Sequence, residues 1–124
     1  MSDTPEGFED GYVYRLATGE DWAAAQAEGT LPWNADDERD GFFHLSYGRQ
    51  AQETARRHYA DELGLLALAI PEDALGGKLK REENEHAEAF PHYYGKVKTA
   101  SVDHALRLTR GMGASYMVVA RLDV

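Results

Sequence analysis

The stretch "LGLLALAI", residues 63–70, carries no polar side chain over eight positions. It is far short of the roughly 20 apolar residues that a membrane-spanning helix needs. Apolar residues at both odd and even positions leave no face for water, so the stretch reads as a strand buried on both faces. Such a strand lies inside a sheet, and the remainder of the chain must supply the neighbours and the cover. The 124 residues, 43% of them hydrophobic, suit one domain with a real core.

The segments around it are short and mostly strand-like. "YVYRLAT" alternates and favours β structure. Thr18 then caps a helix, with Asp21 at capping-box spacing, and "GEDWAAAQAEG" places Trp22, Ala25 and Gln26 on one face before stopping near Gly29. "TLPWNADDERDG" is dense in turn formers and charge and reads as a loop. "FFHLS" is a second strand, with His44 and Ser46 two residues apart and so on one face. A second helix is expected from near Gly48, with Ala51, Thr54, Ala55, His58 and Tyr59 at helical spacing. "PEDALGG" is a turn, "KLKRE" a strand and "ENEHAEA" a polar loop. "FPHYYG", broken by Pro91, suits an edge or a bulge. "VDHALRL", a turn at "RGMG" and a last strand in "SYMVVARLDV" follow. The expected fold class is α+β, with mixed or antiparallel sheets and two helices in the early half. Residues 1–11 read as a disordered leader and residues 12–124 as a single domain.

Charge narrows the partners. Thirteen basic residues against 22 acidic ones leave a formal net charge of -9. That disfavours extended nucleic acid and anionic membranes, while leaving room for one local cationic cleft. The chain has no cysteine, hence no disulfide and no thiolate site. The N-terminus lacks a basic start and an apolar segment, so a cytoplasmic location is expected. The histidines are scattered without a metal-ligand spacing, and no metal is expected.

Individual residues each admit two roles. His44 can be a general base or a half-buried histidine tied to a carbonyl. Ser46 can border a site or cap the following helix; no G-x-S-x-G surrounds it. Phe90, His92, Tyr93 and Tyr94 form a platform for a flat ligand or an aromatic mini-core. Glu82 can stabilise a developing cation or pair with Lys80 or Arg81. No G-x-G-x-x-G and no P-loop is present.

Taken in order, "YRLAT", "DWAAAQAEG", "DGFFHLS", "LLALAI", "LKRE" and "AEAFPHYYGKV" resemble the bacterial family known as domain of unknown function 952, over residues 12–108. "GFFHLS" and "FPHYYG" are the most specific parts. That family's fold is thought to be similar to the ADP-ribosyltransferases and the RNA 2′-phosphotransferases. The resemblance implies a cleft between two small sheets, with NAD as substrate. It implies that Tyr14 or Arg15 meets the ligand's phosphate or ribose. His44 and Ser46 would form a second wall, and Phe90, His92 and Tyr94 the remaining one. His44, Glu82 and His92 would be the catalytic groups. Two positions depart from the family pattern: Arg81 stands where a Trp usually precedes the acid, and Tyr47 follows Ser46 where relatives often have Thr. The alternative class is a non-catalytic module that binds a nucleotide or metabolite. The transferase expectation requires these side chains to converge on one cleft.

Overall fold

The computed structural model describes residues 4–111 and 115–124. Among them are eight strands and three α-helices. In chain order they are β1 (Tyr12–Ala17), α1 (Gly19–Glu28), α2 (Ala35–Asp40), β2 (Phe43–His44), β3 (Ser46–Tyr47), α3 (Ala51–His58), β4 (Gly64–Pro71), β5 (Leu79–Glu83), β6 (Ala89–Tyr93), β7 (His104–Arg110) and β8 (Tyr116–Asp123). Every pairing between strands is antiparallel. One sheet has the order β3-β1-β4-β7-β8 and the other β2-β6-β5. The architecture is α+β.

The apolar run becomes β4, at the centre of the larger sheet between β1 and β7. Its two faces feed two separate cores. Leu68 and Ile70 pack with Val13, Ala17, Phe43, Leu45 and Ala105 on one side. Leu65, Ala67 and Ala69 pack with Tyr14, Leu16, Leu106 and Leu108 on the other. Phe43 and Leu45 bring the smaller sheet against the first face, whereas Ala51 and Ala55 bring α3 against the second.

Four local expectations are corrected. The segment expected as a loop holds the short helix α2, because Asn34 and Asp37 form a reciprocal capping box and Gly41 closes the helix in the left-handed conformation (φ 81). The early half therefore carries three helices rather than two. "FFHLS" is not one strand: it splits at Leu45, so His44 pairs with β6 while Ser46 pairs with β1. "FPHYYG" supplies β6, the middle strand of the smaller sheet rather than an edge. Pro91 is tolerated because its carbonyl accepts from Leu45, just past the Phe43–His44 pairing, so its missing N–H faces the place where β2 has ended. The leader is also docked from Thr4 onward. Phe8 is buried in the second core and meets the Tyr14 ring edge-on at 5.0 Å, and the Glu9 N–H donates to the Tyr14 hydroxyl. The turn expected at "RGMG" falls in part on residues 112 and 113, outside the described residues.

Phe8→Ala tests the docked leader. A buried aromatic removed from a packed site costs about 3 kcal/mol, whereas a floppy leader would lose nothing. Urea unfolding of the variant is expected to show the larger value, with unchanged m.

Candidate functional site

The split at Leu45 makes a notch. β3 pairs with Val13 and Tyr14; beyond them, among the described residues, no strand covers that edge of β1, and Arg15 and Leu16 line an open cleft of about 600 Å³. That volume suits a small-molecule ligand. One wall is the outer face of the smaller sheet, the other is α3 and the segment after it. Alternation decides what each strand shows. Phe43, Pro91 and Tyr93 turn inward, so Phe42, His44, Phe90, His92, Tyr94 and Glu82 turn to the cleft.

The eight residues that the resemblance assigned to a site line this cleft: Tyr14, Arg15, His44 and Ser46 from β1 to β3, and Glu82, Phe90, His92 and Tyr94 from β5, β6 and the residue just after it. Tyr93, expected in the same aromatic platform, packs instead into the core because it has the opposite strand phase. The eight differ in state. The Tyr14 ring is fully buried and its hydroxyl is engaged by the leader. Arg15 is buried and donates to Asp37 at 2.7 and 3.2 Å and to the His44 carbonyl at 2.9 Å, with its guanidinium 4.0 Å over the Phe43 ring. It builds the wall and has little left to offer a phosphate. Ser46 does not cap α3; Gln50 occupies that position without a side-chain cap bond, and the Ser46 hydroxyl donates to Thr54 at 3.3 Å.

Asp37 is the group that reading the sequence missed. Its carboxylate is fully buried and accepts from the Arg15 guanidinium, from the backbone N–H of Asn34 and His44, and from His44 Nδ1 at 2.7 Å. Burial alone would raise its pKa. The hydrogen bonds from His44 and Arg15, with the arginine's charge, outweigh that and hold it well below the ordinary carboxylate range. Asp37 thereby fixes His44 with Nδ1 as donor, and Nε2 faces the Asp40 carboxylate at 2.9 Å. The signal was present: Asn34 and Asp37 stand at the same spacing as Thr18 and Asp21.

The same sheet face holds a second constellation, beside His44. Glu82 Oε1 accepts from the Tyr94 hydroxyl at 2.6 Å and from His92 Nδ1 at 2.9 Å. Those two bonds, Tyr94's the stronger, lower the Glu82 pKa, and the same bond raises that of Tyr94. The His92 ring stacks on Phe42 at 3.8 Å and 21°, and His44 and Tyr94 flank Phe42 at 4.6 and 5.6 Å. Phe42 is the second residue that sequence reading passed over. The result is an ionised carboxylate beside an aromatic face, with a histidine of fixed orientation at that face's other side. Among the described residues no group of three or more His, Cys, Asp or Glu is placed to hold a metal ion. No helix among them is long and apolar enough to cross a membrane.

The family described as "Protein of unknown function (DUF952)" matches residues 16–105, most of the chain and both walls of the cleft. The chain belongs to the DUF952 family. The crystal structure of protein CC0527 from Caulobacter crescentus is similar: 33% identity, TM-score 0.79, over 86% of this chain and 93% of that one. The solution NMR structure of CC0527 gives 33% identity and a TM-score of 0.75, over 85% and 90%. No curated protein matches the chain significantly. As a DUF952 member, it shares a fold with relatives whose descriptions name no activity.

Acid should reveal Asp37. Its folded pKa is depressed, so the stability it contributes is complete above the ordinary value of 3.8 and drains away as pH falls toward the folded value. Unfolding free energy is expected to drop between about pH 4 and about pH 2, and Asp37→Asn should flatten that slope while lowering stability at neutral pH. Asp37→Ala, which strands Arg15, should cost about 3–5 kcal/mol in urea unfolding at pH 7.

Proposed function

We propose that this DUF952 protein is an ADP-ribosyltransferase-like or 2′-phosphotransferase-like enzyme that takes NAD as substrate in the cleft. The observation that supports it is the placement of Glu82, an ionised carboxylate on the rim of a cleft of about 600 Å³, beside the stacked Phe42 and His92 rings. NAD supplies a ribose–nicotinamide bond whose electrons leave with the nicotinamide nitrogen as positive charge grows on the ribose. Glu82 lies where a fixed negative charge can stabilise that growth, and Tyr94 and His92 hold its orientation. The Phe42 face offers a stacking surface for a flat ring. His44, oriented by Asp37, is placed to hold or pass a proton at Nε2. The likeness expected to the transferases is one of fold, and a fold hosts many chemistries, so these side chains carry the proposal.

The phosphate end fits less well. Arg15 is bonded to Asp37, Arg39 to Asp36 and Asp40, and Arg57 to Glu53. Each arginine lining the cleft is thus already answered by a carboxylate. That observation favours the metabolite form of the second reading, in which a non-catalytic module binds a nucleotide or metabolite without turning it over, because a ligand without phosphate needs no arginine clamp.

Thermal shift with NAD, ADP-ribose and 2′-phosphorylated nucleotides, followed by an assay for nicotinamide release, separates the two. An enzyme should be stabilised by NAD and release nicotinamide, with Glu82→Gln slowing release by about a hundredfold. Stabilisation without release would establish the binding module. No shift with any of these ligands would sink both.

A further inference from the structure

We infer that the cleft recognises its ligand by a positively charged flat ring, seated on Phe42, His92 and Tyr94 with Glu82 as counter-charge. This rests on the cleft being the ligand site and adds the charge class of what it takes. The aromatic faces come first. Phe42 and His92 are stacked at 3.8 Å, Tyr94 lies 5.6 Å from Phe42, and all three line a cavity large enough for a ring and its substituent. Such faces attract cations through the ring quadrupole, and more strongly when water is displaced.

The lining charges left without an ion-pair partner of Lys or Arg are acidic, among the described residues. The three lining arginines are each held by an acid, and no lysine lines the cleft among the described residues. The β5–β6 hairpin contributes Glu82, Glu83, Glu85 and Glu88 to the lining. Among the described residues none of these four has a Lys or Arg ion-pair partner. Glu82 bonds Tyr94 and His92, Glu85 lies 3.6 Å from His86, and Glu88 accepts from Gln50. Lys80 lowers the Glu82 pKa a little from the same face of β5 but does not line the cleft. A neutral ring would gain only stacking here, a cationic ring gains stacking and Coulomb attraction, and an anionic ring is repelled.

The test uses one ring in three charge states: nicotinate (anion), nicotinamide (neutral) and 1-methylnicotinamide (cation), titrated calorimetrically into the full chain, with ADP-ribose as a ringless control. The cation is expected to bind about tenfold more tightly than nicotinamide, and nicotinate least of all. Added salt should shrink the gap. Glu82→Gln, a change on a partly exposed side chain, should narrow it to about twofold; Phe42→Leu should weaken the cation by a similar factor. If nicotinamide or nicotinate binds as well as the cation while ADP-ribose binds, the charge inference is overturned and the nucleotide proposal survives. If the cation is preferred but ADP-ribose and NAD give no binding, the inference holds and NAD is not the substrate. Binding of none of the probes would overturn both.

Discussion

A buried carboxylate with no countercharge is among the costliest things a small domain can contain. Asp37 is tolerated because five donors meet it, and those donors come from separate parts of the chain. Arg15 belongs to β1, Asn34 precedes α2, and His44 belongs to β2. One anion therefore ties the edge of the larger sheet, a short helix and the smaller sheet. It also sets a distance. With the guanidinium between Asp37, the His44 carbonyl and the Phe43 ring, β2 is held away from β1 and cannot continue along it. The chain then joins β1 only after Leu45, and the uncovered edge beside Arg15 becomes the cleft. Cleft and ion pair are one construction.

Beyond that junction the cleft follows from period-two geometry. In β2 and β6 the odd-numbered residue Phe43 and its counterparts Pro91 and Tyr93 face the core, which delivers Phe42, His44, Phe90, His92 and Tyr94 to the other side. Antiparallel register then sets neighbours. Lys80 opposes His92 and Glu82 opposes Phe90, so Glu82 reaches His92 diagonally and Tyr94 one step on. The three-way contact of Glu82, His92 and Tyr94 needs no special loop; it needs two short strands of the right phase.

This explains what could be read in advance. Strand phase is local, so the "LKRE" strand and the apolar β4 were legible, whereas the gathering of eight residues at one cleft was an expectation that only the family resemblance carried. The capping box of α1 was legible from Thr18 and Asp21, and the same spacing at Asn34 and Asp37 was obscured by the surrounding acids and turn formers. Tertiary choices were not legible. Nothing in "FFHLS" marks Leu45 as the place where the chain changes sheets, and Phe8 looks like one aromatic in an acidic leader until Tyr14 is opposite it. Phe42 was missed for a related reason. It stands just before the two residues that pair with β6, and its value lies in stacking on His92, far along the chain.

Arg15 shows the deeper limit. An arginine near a suspected nucleotide cleft invites assignment as a phosphate clamp, because its fork matches anionic oxygens. Whether it is free to do so depends on what else it meets, and here its carboxylate partner lies 22 residues away on a helix that composition concealed. Pairing reverses the meaning of the residue. A free Arg15 would offer the cleft a cationic fork for an anion; a bonded one leaves the hairpin glutamates to set the sign. The same physics applies to Arg39 and Arg57, each satisfied within its own or an adjoining turn of helix. Counting charges along the sequence gives the total of a cleft correctly and its field wrongly, because the field belongs to the charges left unanswered after folding.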